Sequence, residues 1–359
     1  GGGGSGGSTS QPGDVEQKDG AAWIKPEVKT DNGRAIGTVS GDQLKKALEL
    51  AAAPGAGGKK QVVVELPAQT GATSYEVQLP ASSLGGTDAF ELVLKTPNAT
   101  LRVPSNGLSN ATGGGAGAEQ VSIRVAGASA DKWEASVREA VGQHPAIEWS
   151  VVAGDRDLAW NNAAAPVTVS IPYTPTAEER GRPDQIVVWA IDGQGRATPI
   201  SNGRFDSAGG TVDFRTTHSG AFAVAPVIKT FGDLSGVPWA QAAIEAMAAR
   251  DIIRGTTGDS FDPTADISRA DFVLLLVRAL GLQATGQPAA MFGDVPEGAY
   301  YYDALAIAKE RGIASGSSDN AFNPGGTITR QEMMTLTARA LAAAGLSGAS
   351  GGSLDAYAD

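Results

Sequence analysis

Two arginines, Arg269 and Arg330, stand 61 residues apart in equivalent surroundings. Each follows a hydroxyl residue, Ser268 or Thr329, and stands two ahead of an acid, Asp271 or Glu332. A guanidinium presents a planar fork of donors that suits a carboxylate, and free N–H groups at a helix start add anion affinity. Two aromatics, Trp239 and Tyr300, recur at the same offset, with flat rings that can stack on a sugar. So do Gly255 and Gly316, which let a ligand come close to the backbone. Two readings stand for the arginines: they ligate an anion, or they bridge to neighbouring acids and hold the fold. Trp239 and Tyr300 read either as ligand platforms or as core residues of amphipathic helices. Phe261 and Phe322 are assigned to packing.

The elements that must position these residues repeat with them. The first copy runs Phe231-Gly232-Asp233, Gly255, Phe261-Asp262-Pro263 and Ile267-Ser268-Arg269; the second runs Phe292-Gly293-Asp294, Gly316, Phe322-Asn323-Pro324 and Ile328-Thr329-Arg330. A constant period is the signature of a repeat architecture. Trp239, Ala243, Ala246 and Met247 share a helical face after Pro238, so that face is expected to be buried, with the helix ending near Arg250 and Asp251. A turn-rich loop leads to Ser268, an N-cap with Asp271 as an acidic variant of the capping box; Thr329 and Glu332 play those parts in the second copy. Leu274, Leu275, Val277 and Leu280, then Leu336, Ala340 and Leu341, supply the apolar faces of the second helices. Neither copy can bury its apolar face alone, so the two are expected to pack on each other. The same offset lands on Ser353, with Asp355 at the position of Asp233 and Asp294, so 353–359 reads as the start of a truncated third copy.

These residues resemble the S-layer homology family, whose signature includes an opening Phe-x-Asp, a loop ending Phe-x-Pro and an Ile-Thr-Arg-Ala-Glu run. Here that run reads Ile267-Ser268-Arg269-Ala270-Asp271 and Ile328-Thr329-Arg330-Gln331-Glu332. The resemblance implies cell-wall anchoring through a pseudo-threefold helical bundle whose grooves hold an anionic, pyruvylated secondary cell-wall polysaccharide. It also implies that Arg269, Arg330, Trp239, Tyr300, Gly255 and Gly316 face that glycan, on a peptidoglycan-associated surface. The chain departs from the family in having Tyr300 where the first copy has Trp239, and in lacking a complete third repeat.

The rest of the chain is of another kind. Residues 1–21, Gly/Ser-rich and then polar, read as a flexible linker. Between 22 and 226, ten apolar runs bounded by turn residues recur, the mark of a β-rich fold with short connections. They are Gln61 to Leu66, Tyr75 to Leu79, Phe90 to Leu94, Thr100 to Val103, Val121 to Val125, Ile147 to Val152, Val167 to Ile171, Ile186 to Ile191, Thr211 to Phe214 and Ala221 to Val224. Two helices interrupt them, one capped by Asp42 and one between Asp131 and Val141 with Trp133 and Val137 inward. The glycine cluster Thr112 to Ala118 offers a split near 115. The expected architecture is multidomain: a β-rich, sandwich-like α+β spacer, then all-α helix-loop-helix repeats at 231–285 and 292–346. Val167 to Tyr173, Ile186 to Trp189, Asn202 to Asp206 and Thr216-Thr217-His218 resemble a β-rich segment preceding S-layer homology repeats in large exported proteins of Paenibacillus-like bacteria. Many of those carry glycoside hydrolase domains upstream.

Composition narrows the function. At 359 residues with a net charge of −11 and a pI near 4.8, the chain lacks the basic surface a nucleic-acid partner requires. With no cysteine, disulfides, thiolate metal sites and thiol catalysis are excluded. No apolar run approaches the roughly 20 residues that span a bilayer, and no signal peptide opens the sequence. No cofactor or metal motif is present. His144 and His218 are the sole histidines, and no nucleophile elbow accompanies them. Glu178, Glu179 and Asp184 are acids of the type glycosidases use, but Glu178 and Glu179 sit where a helix start favours acids anyway. The reading is a secreted, non-catalytic cell-surface anchor with no cofactor. The alternatives are a carbohydrate-binding accessory module, with Trp149, Trp160 and Trp189 as an aromatic platform, and a hydrolase in its own right.

Overall fold

Val167–Pro172 buries Val167, Val169 and Ile171 and turns Thr168 and Ser170 outward, the period-two pattern of a sheet with one face on a core. In the computed structural model, strands of this kind build two layers. It describes residues 14–52, 58–84, 89–112, 119–154, 156–286, 290–316 and 319–346. The chain divides into two units, Gly1–Val227 and Ile228–Asp359.

In chain order the first unit has β1 (Val15–Lys18), β2 (Ala21–Ile24), β3 (Glu27–Asp31), β4 (Arg34–Thr38), α1 (Gly41–Leu50), β5 (Lys60–Glu65) and β6 (Ser74–Pro80). Then come β7 (Phe90–Lys95), β8 (Thr100–Pro104), α2 (Ser105–Thr112), β9 (Gln120–Gly127), α3 (Ala135–Val141), β10 (Ala146–Ala153) and β11 (Arg156–Leu158). It closes with β12 (Val167–Pro172), α4 (Ala177–Arg180), β13 (Ile186–Ile191), β14 (Ala197–Ile200), β15 (Arg204–Asp206), β16 (Thr211–Thr216) and β17 (Gly220–Pro226). One sheet has the order β1-β2-β5-β7-β8-β12-β16-β15; the other has β14-β13-β17-β10-β9-β6-β4-β3, with β11 paired to β10. A single core lies between them, with Val62, Leu92, Val169 and Phe214 from the first sheet and Val77, Ile123, Trp149 and Phe222 from the second.

All ten apolar runs form strands. The connections are less simple than hairpins. β2 runs parallel to β5, β5 to β7 and β4 to β6, because the chain passes to the opposite sheet before returning. Parallel neighbours need such a crossover. Strands stand on both sides of residue 115 in both sheets: β8 pairs with β12, and β6 with β9. Residues 113–118 lie outside the described residues, as do 1–13, Asp155 and the start of the third copy at 353–359.

Three local expectations need correction. The stretch read as linker up to residue 21 already contributes β1, paired with β2 from Val15↔Ile24 to Lys18↔Ala21. Sheet pairing gives a polar segment an order that its composition does not suggest. The first helix is capped by Ser40 rather than Asp42: Ser40 Oγ accepts from Gln43 N, and Gln43 returns a bond to the Ser40 amide. A side chain two residues earlier lies outside the helix, where it can reach the free amides. Trp149 and Trp160 are buried and meet edge to face at 5.9 Å, and Trp189 is partly buried, so they form no exposed platform. Strand alternation turns Trp149 to the core face together with Ile147 and Val151.

The second unit contains α5 (Pro238–Ala249), α6 (Arg269–Ala279), α7 (Tyr302–Glu310) and α8 (Arg330–Ala343). α6 packs on both α7 and α8. α5 does not bury the face its periodicity suggested. Ile244, Ala248 and Ala249 are buried, while Trp239 is 86% and Met247 37% exposed. α5 is apolar nearly all round, so its spacing offers two stripes. Leu234, Ile252 and Ile253 select the one carrying Ile244 and Ala248.

Candidate functional site

Each repeat is organised by its opening aspartate, whose part the sequence reading left unassigned. Asp233 accepts the amides of Phe261 (3.0 Å) and Asp262 (2.7 Å) across the loop. Asp294 does the same with Phe322 (2.8 Å) and Asn323 (2.7 Å). The Phe261 and Asp262 amides hold the Asp233 carboxyl below the usual carboxylate range. At Asp294 burial acts to raise the carboxyl, but the Phe322 and Asn323 amides outweigh it and leave it lowered. Asp262 and Asn323 have φ of 60° and 56°, a left-handed conformation that Asp and Asn tolerate better than most residues. The locked loops stack Phe231 on Phe261 and Phe292 on Phe322, with centroids 5.6 and 5.2 Å apart. The constant 28-residue step from Asp to Phe was the available signal.

The two loops then meet. Ser268 and Thr327 form an isolated β-bridge, and the first two amides of α6, Arg269 N and Ala270 N, donate to Gly326 O (2.9 Å) and Pro324 O (3.1 Å). Ser268 Oγ caps Asp271 N. The start of α6 is therefore saturated by the second copy and offers no N–H groups to a ligand. Arg269 is engaged too: Nε donates to Phe322 O at 2.9 Å, Nη1 pairs with the Glu332 carboxylate, and the guanidinium lies 4.8 Å from the Phe322 ring centroid. The Glu332 carboxyl is lowered by the Thr329 amide and hydroxyl, with Arg269 adding to them.

Arg330 is in a different state. It is exposed and makes no hydrogen bond or ion pair among the described residues. Tyr300 is 68% exposed, packs edge to face on Tyr301 and donates its hydroxyl to Asp271 Oδ1 at 2.6 Å. That bond, with burial adding to it, pushes the phenol up to about 12. The structure thus brings Tyr300, Asp271, Arg269 and Glu332 to one rim, while Trp239 and Arg330 stand open elsewhere on the unit. A Cβ on Gly255 would lie 2.4 Å from Ser260 O and 2.7 Å from Phe231; one on Gly316 would lie 3.0 Å from Phe292 and 3.1 Å from Ala321 O. Close packing by the loop and its phenylalanine accounts for both glycines.

The S-layer homology domain family matches residues 230–273 and 292–334, one match on each of these loop-linked helix pairs. These two segments are S-layer homology domains. Among relatives of the chain is an amylopullulanase of Thermoanaerobacterium thermosulfurigenes, 29% identical over 186 residues, 51% of this chain and 10% of that protein. An endo-1,4-beta-xylanase A of Thermoanaerobacterium saccharolyticum is 33% identical over 158 residues, 44% of this chain and 12% of that protein. A surface-layer 125 kDa protein of Lysinibacillus sphaericus is 35% identical over 117 residues, 31% of this chain and 10% of that protein. The chain thus spans about a tenth of the length of these relatives. S-layer homology domains are non-catalytic modules that attach to the cell wall, and this is a secreted, cell-surface protein. No helix among the described residues is long and apolar enough to cross a membrane.

The acids and histidines of the first unit form structural links. Glu179 completes a capping box with Thr176 and accepts from Tyr173 Oη and His144 Nε2, each at 2.8 Å. Burial acts to raise its carboxyl, but the bonds from His144, the Thr176 amide and Tyr173 bring it down to about 2. A carboxyl held there stays ionised and cannot serve as a general acid near neutrality. Glu179 contributes stability that is complete above its usual value of 4.5 and is lost as pH falls toward about 2. Melting followed by tryptophan fluorescence is expected to show Glu179→Gln less stable than the parent by about 2 kcal/mol above pH 4.5 once solvent screening is allowed for. The gap should close as pH falls toward 2. A gap independent of pH would contradict the assignment. His218 accompanies Thr216, and burial lowers its imidazole. No group of three or more His, Asp or Glu side chains suited to a metal occurs among the described residues.

Proposed function

We propose that this chain is a non-catalytic anchoring segment of a larger exported protein. Its S-layer homology repeats, read as all-α helix-loop-helix modules, hold an anionic, pyruvylated secondary cell-wall polysaccharide without covalent chemistry. Its β-rich unit serves as a spacer that carries upstream domains. The observation that carries the glycan reading is Arg330, an exposed guanidinium without a protein partner on a chain of net charge −11. An acidic protein binds a polyanion through local cations set against its own mean field, and a free planar fork suits a carboxylate substituent. Trp239 and Tyr300 are exposed aromatic faces for sugar rings. In this proposal Arg269 acts mainly by holding the two loops in register, and Gly255 and Gly316 by shaping the surface beside the ligand.

The test is co-sedimentation of the chain with Gram-positive wall sacculi before and after hydrofluoric acid strips the secondary polymer. Binding is expected to disappear with the polymer and to fall about tenfold in Arg330→Ala, the loss of one charge-assisted contact. Equal binding to stripped sacculi would overturn the glycan reading.

A further inference from the structure

The two ends of the second unit are halves of an interface that the unit makes once in its middle. There α6 packs on α7, with Val273 and Val277 of α6 and Ala304 and Ala308 of α7 in one buried cluster. Moving each by the repeat distance changes its surroundings. Val273 is 0% exposed, whereas its counterpart on α8, Met334, is 68% exposed; Ala338, counterpart of Val277, is also exposed. On the other side, Ala308 is 0% exposed, whereas its α5 counterpart Met247 is 37% exposed, and Ala243 is exposed where Ala304 is buried. The polar contacts follow the same rule. Arg269 spans to Phe322 O and Glu332, while Arg330, its counterpart, is unpaired. The Phe292–Phe322 pair is buried under that contact, and its counterpart Phe231–Phe261 is half-exposed.

We infer that a second copy of this chain docks here, the α8 end of one molecule seating on the α5 end of the other. Met334 and Ala338 then cover Ala243 and Met247, and Arg330 reaches the Phe261 carbonyl and the Asp271 carboxylate of the second copy. The occupant follows from complementarity. The α8 end needs the surface that α7 and the second loop give to α6, and the α5 end of this same chain carries that surface. Contiguous apolar residues left exposed beside unpaired charge mark an interaction face. The contact is heterologous, since the two patches differ, so copies add head to tail or close into a ring. This inference does not depend on any glycan.

Sedimentation velocity of the full chain over a range of concentrations tests it. The parent is expected to exceed the mass of one chain and to grow with concentration. Met334→Glu and Met247→Glu, both at exposed positions, should each reduce it to single chains with unchanged helical circular dichroism. An equimolar mixture of the two variants retains one intact α8 end and one intact α5 end, and should give a pair and nothing larger. A parent that sediments as one chain at every concentration would overturn the inference. So would association that survives either substitution, or a mixture that stays single.

Discussion

Arg269→Ala is expected to lower the stability of the second unit by about 2 kcal/mol, through loss of charge-assisted bonds to Phe322 O and Glu332. Arg330→Ala should stay within about 0.5 kcal/mol of the parent, as surface changes away from specific contacts do. The two residues are equivalent in sequence, so their separation is a test of the structure rather than of the motif. Arg269 joins loops 53 residues apart, and its removal leaves Glu332 with only its Thr329 contacts. Removal of Arg330 breaks no bond within the unit. Thermal melting by circular dichroism, with wall binding measured on the same variants, separates the effects. Arg269→Ala should lose stability and weaken binding only indirectly, and Arg330→Ala should lose binding alone. Equal destabilisation by both would show that the inter-loop contact is not what holds Arg269.

The other large effect is expected at Gly255. An alanine Cβ there would fall 2.4 Å from Ser260 O and 2.5 Å from Thr257 O, with Phe231 at 2.7 Å. Two of those neighbours are backbone, so the loop itself must move. Overpacking of this kind costs about 2–3 kcal/mol. At Gly316 the nearest atoms are at 3.0 and 3.1 Å, mostly the Phe292 ring edge, and a shift of a few tenths of an ångström suffices. Gly316→Ala should therefore cost about 1 kcal/mol or less. Denaturant unfolding of both variants checks the order, and a larger loss at Gly316 would contradict the packing.

The exposure of the first copy explains why equivalent residues behave differently. Phe261 is half-exposed and Phe322 buried, although both occupy the same place in Phe-x-Pro. The loop around Phe322 receives α6 and Arg269 from the preceding repeat, and no counterpart within the second unit does this for Phe261. Burial in a repeat array is set by neighbours as much as by the repeat itself.

The sequence alone determined what is local and periodic. Ten strands were legible because their apolar runs end at turn residues, and the caps at Ser268 and Thr329 because capping needs only a hydroxyl at the right step. The repeat distance fixed which residues are equivalent. Other features depended on contacts far apart in the chain. β1 exists because β2 lies beside it, and the parallel pairs because the chain changes sheets between them. Trp149 and Trp160 went to the core rather than to a platform because each packs on the other. The buried face of α5 was undecided in a helix apolar all round, and Leu234, Ile252 and Ile253 decided it. Arg269 and Arg330 show the same division: spacing made them a pair, and only the arrival of one repeat's loop at the next helix made the first a link and left the second open. Periodicity records which side chains share a surface, whereas burial and pairing depend on what the rest of the chain brings to that surface.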